Sequence, residues 1–152
     1  MVGRLIGFAA GPTTPVQVPE NGRVQATVTV KNNGLTKGDI WLGGYISYGS
    51  SPETWPGRVA FKVQSGADKT AYNNQNACVV GVDPGASRQV VFLSDPIAVY
   101  QNVHQLDVYF VCGQFDPNAN SWTRYDDSGV HTGAILVGNP VGFIMAITYT
   151  KV

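Results

Sequence analysis

The chain has 152 residues, of which 43% are apolar and only 13% are charged, and its formal net charge at pH 7 is zero. This length fits one domain whose core is large enough to fold without a disulfide or a metal. The few Lys and Arg are scattered and form no basic patch, which argues against a nucleic-acid partner, and zero net charge favours association with further copies or a larger assembly.

Residues 1–15 form an apolar segment that is interrupted by glycines and prolines. The segment is too short for a secretory signal and is followed by no cleavage site, so we expect it to be retained after synthesis in a cytoplasm. No stretch of the chain is long and apolar enough for a membrane helix, so no membrane partner is expected. We interpret residues 1–15 as an arm that orders against a partner, or alternatively as a strand that completes the protein's own sheet, ahead of a single domain at 16–152.

The first half of the domain shows strand periodicity between polar loops. Residues 24–30 alternate apolar and polar side chains, which predicts a strand with one buried face, and Asn-Asn-Gly at 32–34 ends it. Residues 39–48 are apolar on both faces, as in a strand that is covered twice, and 59–63 resume the alternation. The polar stretches at 49–57, around Trp55, and at 65–76 are predicted to be long exposed loops, which are often functional.

The second half continues the same pattern, with the turn Asp83-Pro84-Gly85 between two strands. About nine strand candidates result, with no competing helical segment, which predicts an all-β fold. We expect an antiparallel β-sandwich of the immunoglobulin-like type, with a jelly roll as the alternative. The remaining predicted strands lie at residues 77–82, 90–92, 106–112, 122–125, 134–137 and 141–150.

One part of the sequence resembles a known family of β-domains. The run VPENGRVQATVTVKNNG at 18–34 resembles the opening strands of immunoglobulin-like adhesion repeats of the CARDB type, in which a Pro/Gly turn leads into an alternating strand that ends in Asn-x-Gly. The resemblance continues at 82–87 and at 106–110, and it implies an immunoglobulin-like sandwich. The insertion at 49–76 and the strands after Phe115 depart from those repeats and keep the jelly roll open.

A second resemblance concerns size, composition and overall plan. A small unprocessed β-protein of zero net charge, rich in Gly and Asn, with a Pro-punctuated apolar arm, resembles the capsid decoration (auxiliary) proteins of tailed bacteriophages. Such proteins sit as trimers on the outer face of the shell and cement neighbouring capsomers. The resemblance implies a virion structural protein on the outer capsid surface, whose partners are the major capsid protein and itself, as a homotrimer. The residues expected to bind these partners are Arg4, Leu5, Ile6, Phe8, Trp55 and Tyr72.

No catalytic constellation is visible, so we expect no enzyme and no cofactor. The two histidines, His104 and His131, lie at a strand entrance and in a Gly-flanked turn, and no Gly-x-Ser-x-Gly elbow is present. The adjacent Asp126 and Asp127 would point to opposite faces of a strand, which makes a poor acid/base pair.

A calcium loop is the most suggestive local pattern. Asp116, Asn118 and Asn120, with Asp127 further on, match the spacing of oxygen ligands in such a loop. However, Ser121 stands where the loop needs Gly, the final ligand is not Glu, and no helices flank the segment. We therefore expect a plain polar hairpin loop and no metal.

Two further features leave alternatives open. Cys78 and Cys112 are read as two free, buried side chains, with a disulfide between neighbouring strands as the alternative. A set of aromatic residues is read as core or interface, or alternatively as a sugar-stacking platform of a carbohydrate-binding or adhesion module. These residues are Trp41, Trp55, Trp122, Tyr48 and Tyr72.

Overall fold

The computed structural model describes residues 3–6, 15–48, 58–71, 77–99, 103–116, 118–138 and 149–151. This part of the chain contains eleven strands and no helix, and accordingly no helix that is long and apolar enough to cross a membrane. The strands are β1 (Gly3–Ile6), β2 (Val16–Val18), β3 (Gln25–Asn32), β4 (Gly38–Ser47), β5 (Arg58–Ser65), β6 (Lys69–Ala71), β7 (Ala77–Val82), β8 (Ser87–Ser94), β9 (Gln105–Asp116), β10 (Ser121–Asp127) and β11 (His131–Val137).

The first sheet has the strand order β1-β3-β8-β5, and all its pairs are antiparallel. The inward positions of β3 and β8 lie opposite each other, as for Val28 and Val90. Both of these side chains are fully buried, whereas the polar side chains that alternate with them face outward. The period-two pattern at 24–30 therefore arises because one face of this sheet covers the core.

The second sheet is centred on two long strands, β4 and β9, that pair along seven residues. The far edge of β9 pairs with β11 through its first half and with β10 through its second half. The far edge of β4 pairs with β7, which in turn pairs with β6, and β2 adds to β11 in parallel. Because β4 and β9 have neighbours on both edges, they form the centre of this sheet.

β5 joins the two sheets. Its first residues, 58–60, pair with the end of β4, and residues 61–65 pair with β8 of the first sheet. Seven strands in chain order, namely β1, β3, β4, β5, β8, β9 and β11, follow the immunoglobulin arrangement of A-B-E-D in one sheet and C-F-G in the other. The protein is thus an all-β, immunoglobulin-like sandwich and not a jelly roll, and the described residues add four strands to the seven of that arrangement.

The core lies between the two sheets and is centred on three aromatic rings. Phe110 of β9 lies with its ring centroid 5.0 Å from that of Phe61 and 5.3 Å from that of Phe92, and all three side chains are fully buried. Gly44 of β4 lies opposite Phe110 of β9, and a Cβ at this glycine would overlap the Phe110 ring. Glycine is therefore required at 44 because the Phe110 ring occupies the space that any side chain would need.

Several expectations change in detail. Residues 69–71, within the predicted loop at 65–76, form β6 on the edge of the second sheet. Residues 3–6 and 16–18 form strands that are too short to show periodicity. The predicted loop at 49–57 and most of the predicted strand at 141–150 lie outside the described residues, and residues 149 and 150 belong to no strand.

Candidate functional site

The two histidines do not form a catalytic pair. The Nδ1 atom of His104 lies 2.8 Å from the carbonyl oxygen of Val137, and the Val137 amide donates to the His104 carbonyl oxygen at 2.9 Å. His131 lies opposite Val108 at the other end of the β9–β11 pairing. Since His104 contacts the last residue of β11 and His131 is the first, the two side chains are separated along the sheet. These two contacts with Val137 show that His104 fixes the end of β11 against the start of β9.

The cysteines lie on the inner face of the second sheet, one on each side of Leu42. Cys78 of β7 and Cys112 of β9 are both register partners of Leu42, so one strand separates them. Two strand spacings make about 9–10 Å, which exceeds the reach of a disulfide of about 7 Å. Neither cysteine forms a disulfide and both are fully buried, and burial raises the pKa of the Cys78 thiol to about 12. The disulfide alternative is wrong, and Cys78 is an unreactive core residue.

The loop at 116–127 does not have the geometry of a calcium site. The Asp116 carboxylate accepts hydrogen bonds from the amides of Asn118 and Ala119, at 2.9 and 3.3 Å, and so caps a hairpin turn. Asp127 lies at the opposite end of β10, about 20 Å away at the usual rise of a strand. It accepts instead from the Gly129 amide at 2.8 Å. Residues 116–127 therefore form a polar hairpin, because β10 separates Asp127 from Asp116, Asn118 and Asn120.

The predicted partner-binding residues fall into two groups. Arg4, Leu5 and Ile6 lie in β1, where their backbones pair with residues 29–31 of β3. This part of the N-terminal segment completes the protein's own sheet, which was the alternative to a partner-ordered arm. Phe8, Trp55 and Tyr72 lie outside the described residues.

The aromatic residues of the proposed sugar platform do not share one surface. Trp41 is half-buried on the outer face of the second sheet, where Tyr45 and Tyr109 lie directly opposite each other on β4 and β9. Tyr48, by contrast, donates a hydrogen bond to the carbonyl oxygen of Ala98, and its burial raises the pKa of its phenol. Trp55 lies outside the described residues, and the structure describes only the backbone of Trp122.

One end of the sandwich is organised by a buried polar residue, Asn32, which ends β3. Its side-chain amide donates to the carbonyl oxygens of Thr36 and Val82, at 2.8 and 2.9 Å, and its side-chain oxygen accepts from the Gly34 amide at 2.8 Å. Its backbone joins Gly85 and Ala86 of the neighbouring turn. Both side-chain donors and the acceptor of Asn32 are therefore satisfied although the side chain is fully buried.

The loop that Asn32 holds presents an apolar side chain to solvent. Leu35 lies between the two anchored positions 34 and 36 and is 95% exposed. Lys37 is the last residue of this loop, and its ammonium lies 3.6 Å from the carboxylate of Asp83 in the neighbouring turn. We call residues 33–37 the tip. The sequence predicted a turn at Asn-Asn-Gly but not the exposed apolar side chain beside it. A leucine inside a short polar turn was the one feature that could have indicated this surface.

A cleft of about 230 Å³ lies at the opposite end of the first sheet. Leu93 and Val63 contribute apolar surface, and Arg23, Lys62 and Asp95 contribute charge. The Lys62 ammonium is 3.1 Å from the Asp95 carboxylate. Since β3 begins near Arg23 and ends at Asn32, the length of this strand, about 25 Å, separates the cleft from the tip.

A third polar cluster fastens the β6–β7 edge to β8. The Arg88 guanidinium donates to both carboxylate oxygens of Asp68 at 2.8 Å and also to the carbonyl oxygens of Gly66 and Gly81. The Gly81 amide donates to Asp68 at 2.6 Å. The hydrogen bond from Arg88, followed by that from Gly81, holds the pKa of the Asp68 carboxyl below its usual value. Because the Asp68 carboxylate and the Arg88 guanidinium both make their hydrogen bonds within the protein, this cluster stabilises the fold.

Comparisons with known proteins give a distant likeness of fold. No family model matches the chain, and no curated protein matches it. Among solved structures, the chain is similar to the ASH / PapD-like domain of human CEP192 (PapD-like domain 7), with a TM-score of 0.34 and 8% identity over 75% of this chain and 80% of that one. A likeness at this level carries no argument about function.

Proposed function

We propose that this chain is a non-enzymatic structural module that acts through protein–protein contacts, and specifically that it decorates the outer surface of a virion shell. The observation that carries the proposal is the tip, where a fully buried Asn32 holds a loop that exposes Leu35. A loop that is rigid before binding loses little conformational entropy on contact. Such a device suits a protein that cements neighbouring subunits.

The strand edges of the described part of the chain favour contacts through loops and faces. β2, at one edge of the second sheet, is flanked by Pro15 and Pro19, and proline cannot extend a ladder of backbone hydrogen bonds. The edge strands β5 and β6 carry the exposed Lys62 and Lys69. Lysine and proline at edges are common guards against strand pairing between molecules. We therefore propose contact through the sandwich ends rather than through added strands.

The virion setting is supported by the sequence and by the fold together. Zero net charge leaves little repulsion between copies, which suits a protein present at many equivalent positions on one shell. The sandwich is small and has no long unpaired hydrophobic strand among its described edges. The proposed partners are the major capsid protein and further copies of this chain, with a homotrimer as the assembly unit.

The proposal is tested with purified protein and expanded empty heads of the phage that encodes it, prepared without this chain. We expect the protein to sediment with the heads at a saturating, stoichiometric ratio and to raise the temperature at which they disrupt. Protein that stays in the supernatant at every ratio, together with an unchanged disruption temperature, would overturn the proposal. Heat-unfolded protein, added at the same ratios, controls for non-specific adsorption.

A carbohydrate-binding or adhesion module is the second candidate. It is favoured by the outer face of the second sheet, where Trp41 and Tyr45 of β4 are half-buried, whereas Tyr109 beside Tyr45 is buried and offers no stacking surface. The Arg124 guanidinium lies 5.9 Å from the Tyr109 ring centroid. Binding to a glycan array that is lost in Trp41→Ala, while the variant keeps the wild-type unfolding temperature, would favour this candidate over a shell protein. An array without binding would exclude it for the glycans present.

A further inference from the structure

β1 is held to the sandwich at few backbone positions. It has four residues, and within the described part of the chain β3 is the one strand with which it pairs. The strand lies at the end of the first sheet and near the start of the chain, and residues 7–15 separate it from β2. Short strands at an edge and near a terminus open at a low free energy, because few hydrogen bonds have to break.

β1 also covers a thiol. Gly3 is buried, and a Cβ at this position would lie 3.2 Å from side-chain atoms of Ile40 and Tyr125 and 3.3 Å from the Sγ atom of Cys112. The backbone of Gly3 therefore packs directly against these three side chains. Cys112 itself is fully buried. Because Gly3 belongs to β1, departure of this strand opens a path from solvent to the Cys112 thiol.

The other cysteine lies beside an edge that is fastened. Cys78 of β7 is in register with the middle of β6, which is also a short edge strand. Asp68 precedes β6, and its amide donates to the carbonyl oxygen of Val79 at 3.0 Å. Its carboxylate accepts from the Arg88 guanidinium and from the Gly81 amide. These bonds tie the start of β6 to both β7 and β8, so Cys78 stays covered while the sandwich is folded.

From these contacts we infer that β1 detaches from β3 while the rest of the sandwich stays folded, and that this opening uncovers Cys112 and not Cys78. The inference goes beyond the proposed function and holds whether or not the chain binds a shell. Detachment also leaves the backbone of residues 29–32, the register partners of β1, without a strand on that side. In the open form residues 3–6 are free to contact other molecules.

Site-resolved thiol labelling of the wild-type protein tests the inference. A brief pulse of a thiol reagent at pH 8 is followed by digestion and mass spectrometry, which reports each cysteine separately. Both thiols share one global stability, so a difference between their rates comes from local opening. Without urea we expect Cys112 to react about tenfold faster than Cys78 or more, with a weaker dependence on urea because a local opening exposes little surface. Equal rates with the same urea dependence would overturn the inference.

A cross-link tests whether β1 is the element that moves. Arg4 and Lys31 are register partners, and the Cα atoms of such partners lie about 4.5–5.5 Å apart, within the reach of a disulfide. In the oxidised Arg4→Cys, Lys31→Cys double variant, labelling of Cys112 is expected to slow to the rate of Cys78. The reduced form of the same variant is the matched control and should keep the fast rate. If Cys112 in the cross-linked protein still reacts as fast as in wild type, another opening exposes it and the inference is wrong.

Two glycine variants separate local from global opening. A valine at Gly3 crowds the side chains under β1, so Gly3→Val should favour the open form and speed the labelling of Cys112. Gly133 has a φ of 63° and no atom within 4 Å of an added Cβ, so Gly133→Ala strains the backbone of β11 in the closed and open forms alike. This control should speed the labelling of Cys78 and leave Cys112 unchanged. Faster labelling of both cysteines by one factor in Gly133→Ala would mean that Cys112 is exposed only by global unfolding, against the inference.

Discussion

Replacing Asn32 by aspartate tests the organisation of the tip with a change of a single side-chain group. The amide nitrogen that now donates to Thr36 and Val82, at 2.8 and 2.9 Å, becomes an oxygen that faces two carbonyl oxygens. The side chain is fully buried, so the new charge is desolvated as well. Breaking a buried polar network in this way costs about 3–5 kcal/mol. At an m-value of about 2 kcal/mol per M, the urea midpoint at pH 7 should fall by about 2 M.

The same substitution has a pH signature. Burial and the facing carbonyls raise the pKa of the introduced carboxyl above the roughly 3.9 of an unfolded chain, and its protonated form donates one of the two lost hydrogen bonds. A group whose pKa is raised in the folded state contributes most below its unfolded pKa, and that contribution disappears as the pH rises through the folded pKa. The deficit against wild type should therefore be smallest near pH 4 and largest at pH 7.

Urea unfolding followed by tryptophan fluorescence, at pH 4 and pH 7, measures both effects. The matched control is Asn33→Asp, which adds the same charge to the exposed neighbouring residue. We expect the control to change the midpoint little at either pH. Equal midpoints for the two variants, or a deficit in Asn32→Asp that does not grow between pH 4 and pH 7, would refute the role given to Asn32.

Three further predictions concern the core and the edge cluster. Gly44→Ala should lower stability by about 1–3 kcal/mol through overpacking against Phe110, and Phe110→Leu should relieve part of this loss in a double-mutant cycle measured by thermal unfolding. A thiol reagent at pH 8 should label Cys78 only as fast as the protein unfolds, and rapid labelling of the folded protein would contradict its burial. Because the pKa of Asp68 is lowered in the folded state, the Arg88 pair stabilises the protein above the unfolded pKa of about 3.9 and this contribution is lost as the pH falls through the folded pKa. Asp68→Asn should therefore flatten the acid side of the stability profile, by less than about 1 kcal/mol since the pair is partly exposed, and an unchanged slope would exclude this contribution.

The sequence predicted most of the strands because the alternation of apolar and polar side chains, which marks a strand with one buried face, can be seen in neighbouring residues. The alternation at 24–30 and at 106–112 matches β3 and β9, since each strand buries one face. The turn at 83–85 was equally clear, and Gly85 adopts the positive φ of 75° that this position favours in glycine. The short strands β2 and β6 were not assigned as strands, and β1 was predicted only as the alternative to a partner-ordered arm. Three or four residues carry too little periodicity, and such strands form only where a partner strand is already present.

The candidate site depended on contacts between distant parts of the chain. Asn32 was visible as part of a turn, but its burial arises from the approach of Val82, fifty residues away. The cleft combines a residue that precedes β3 with residues from the second half of β5 and from the end of β8, and no spacing in the sequence relates them. The calcium pattern misled for the same reason, because a linear spacing did not reveal that β10 separates its ligands.

The sequence by itself determined an all-β domain, the positions of its principal strands and turns, and a weakly charged surface, because side-chain alternation and turn chemistry are properties of neighbouring residues. Only the tertiary structure decided the rest. β5 crosses between the sheets, Phe110 occupies the space over Gly44, one strand keeps Cys78 and Cys112 apart, and the buried Asn32 presents Leu35 at the tip. Each of these depends on which strands lie side by side, and that pairing is selected by the packing of one shared core rather than by any single segment.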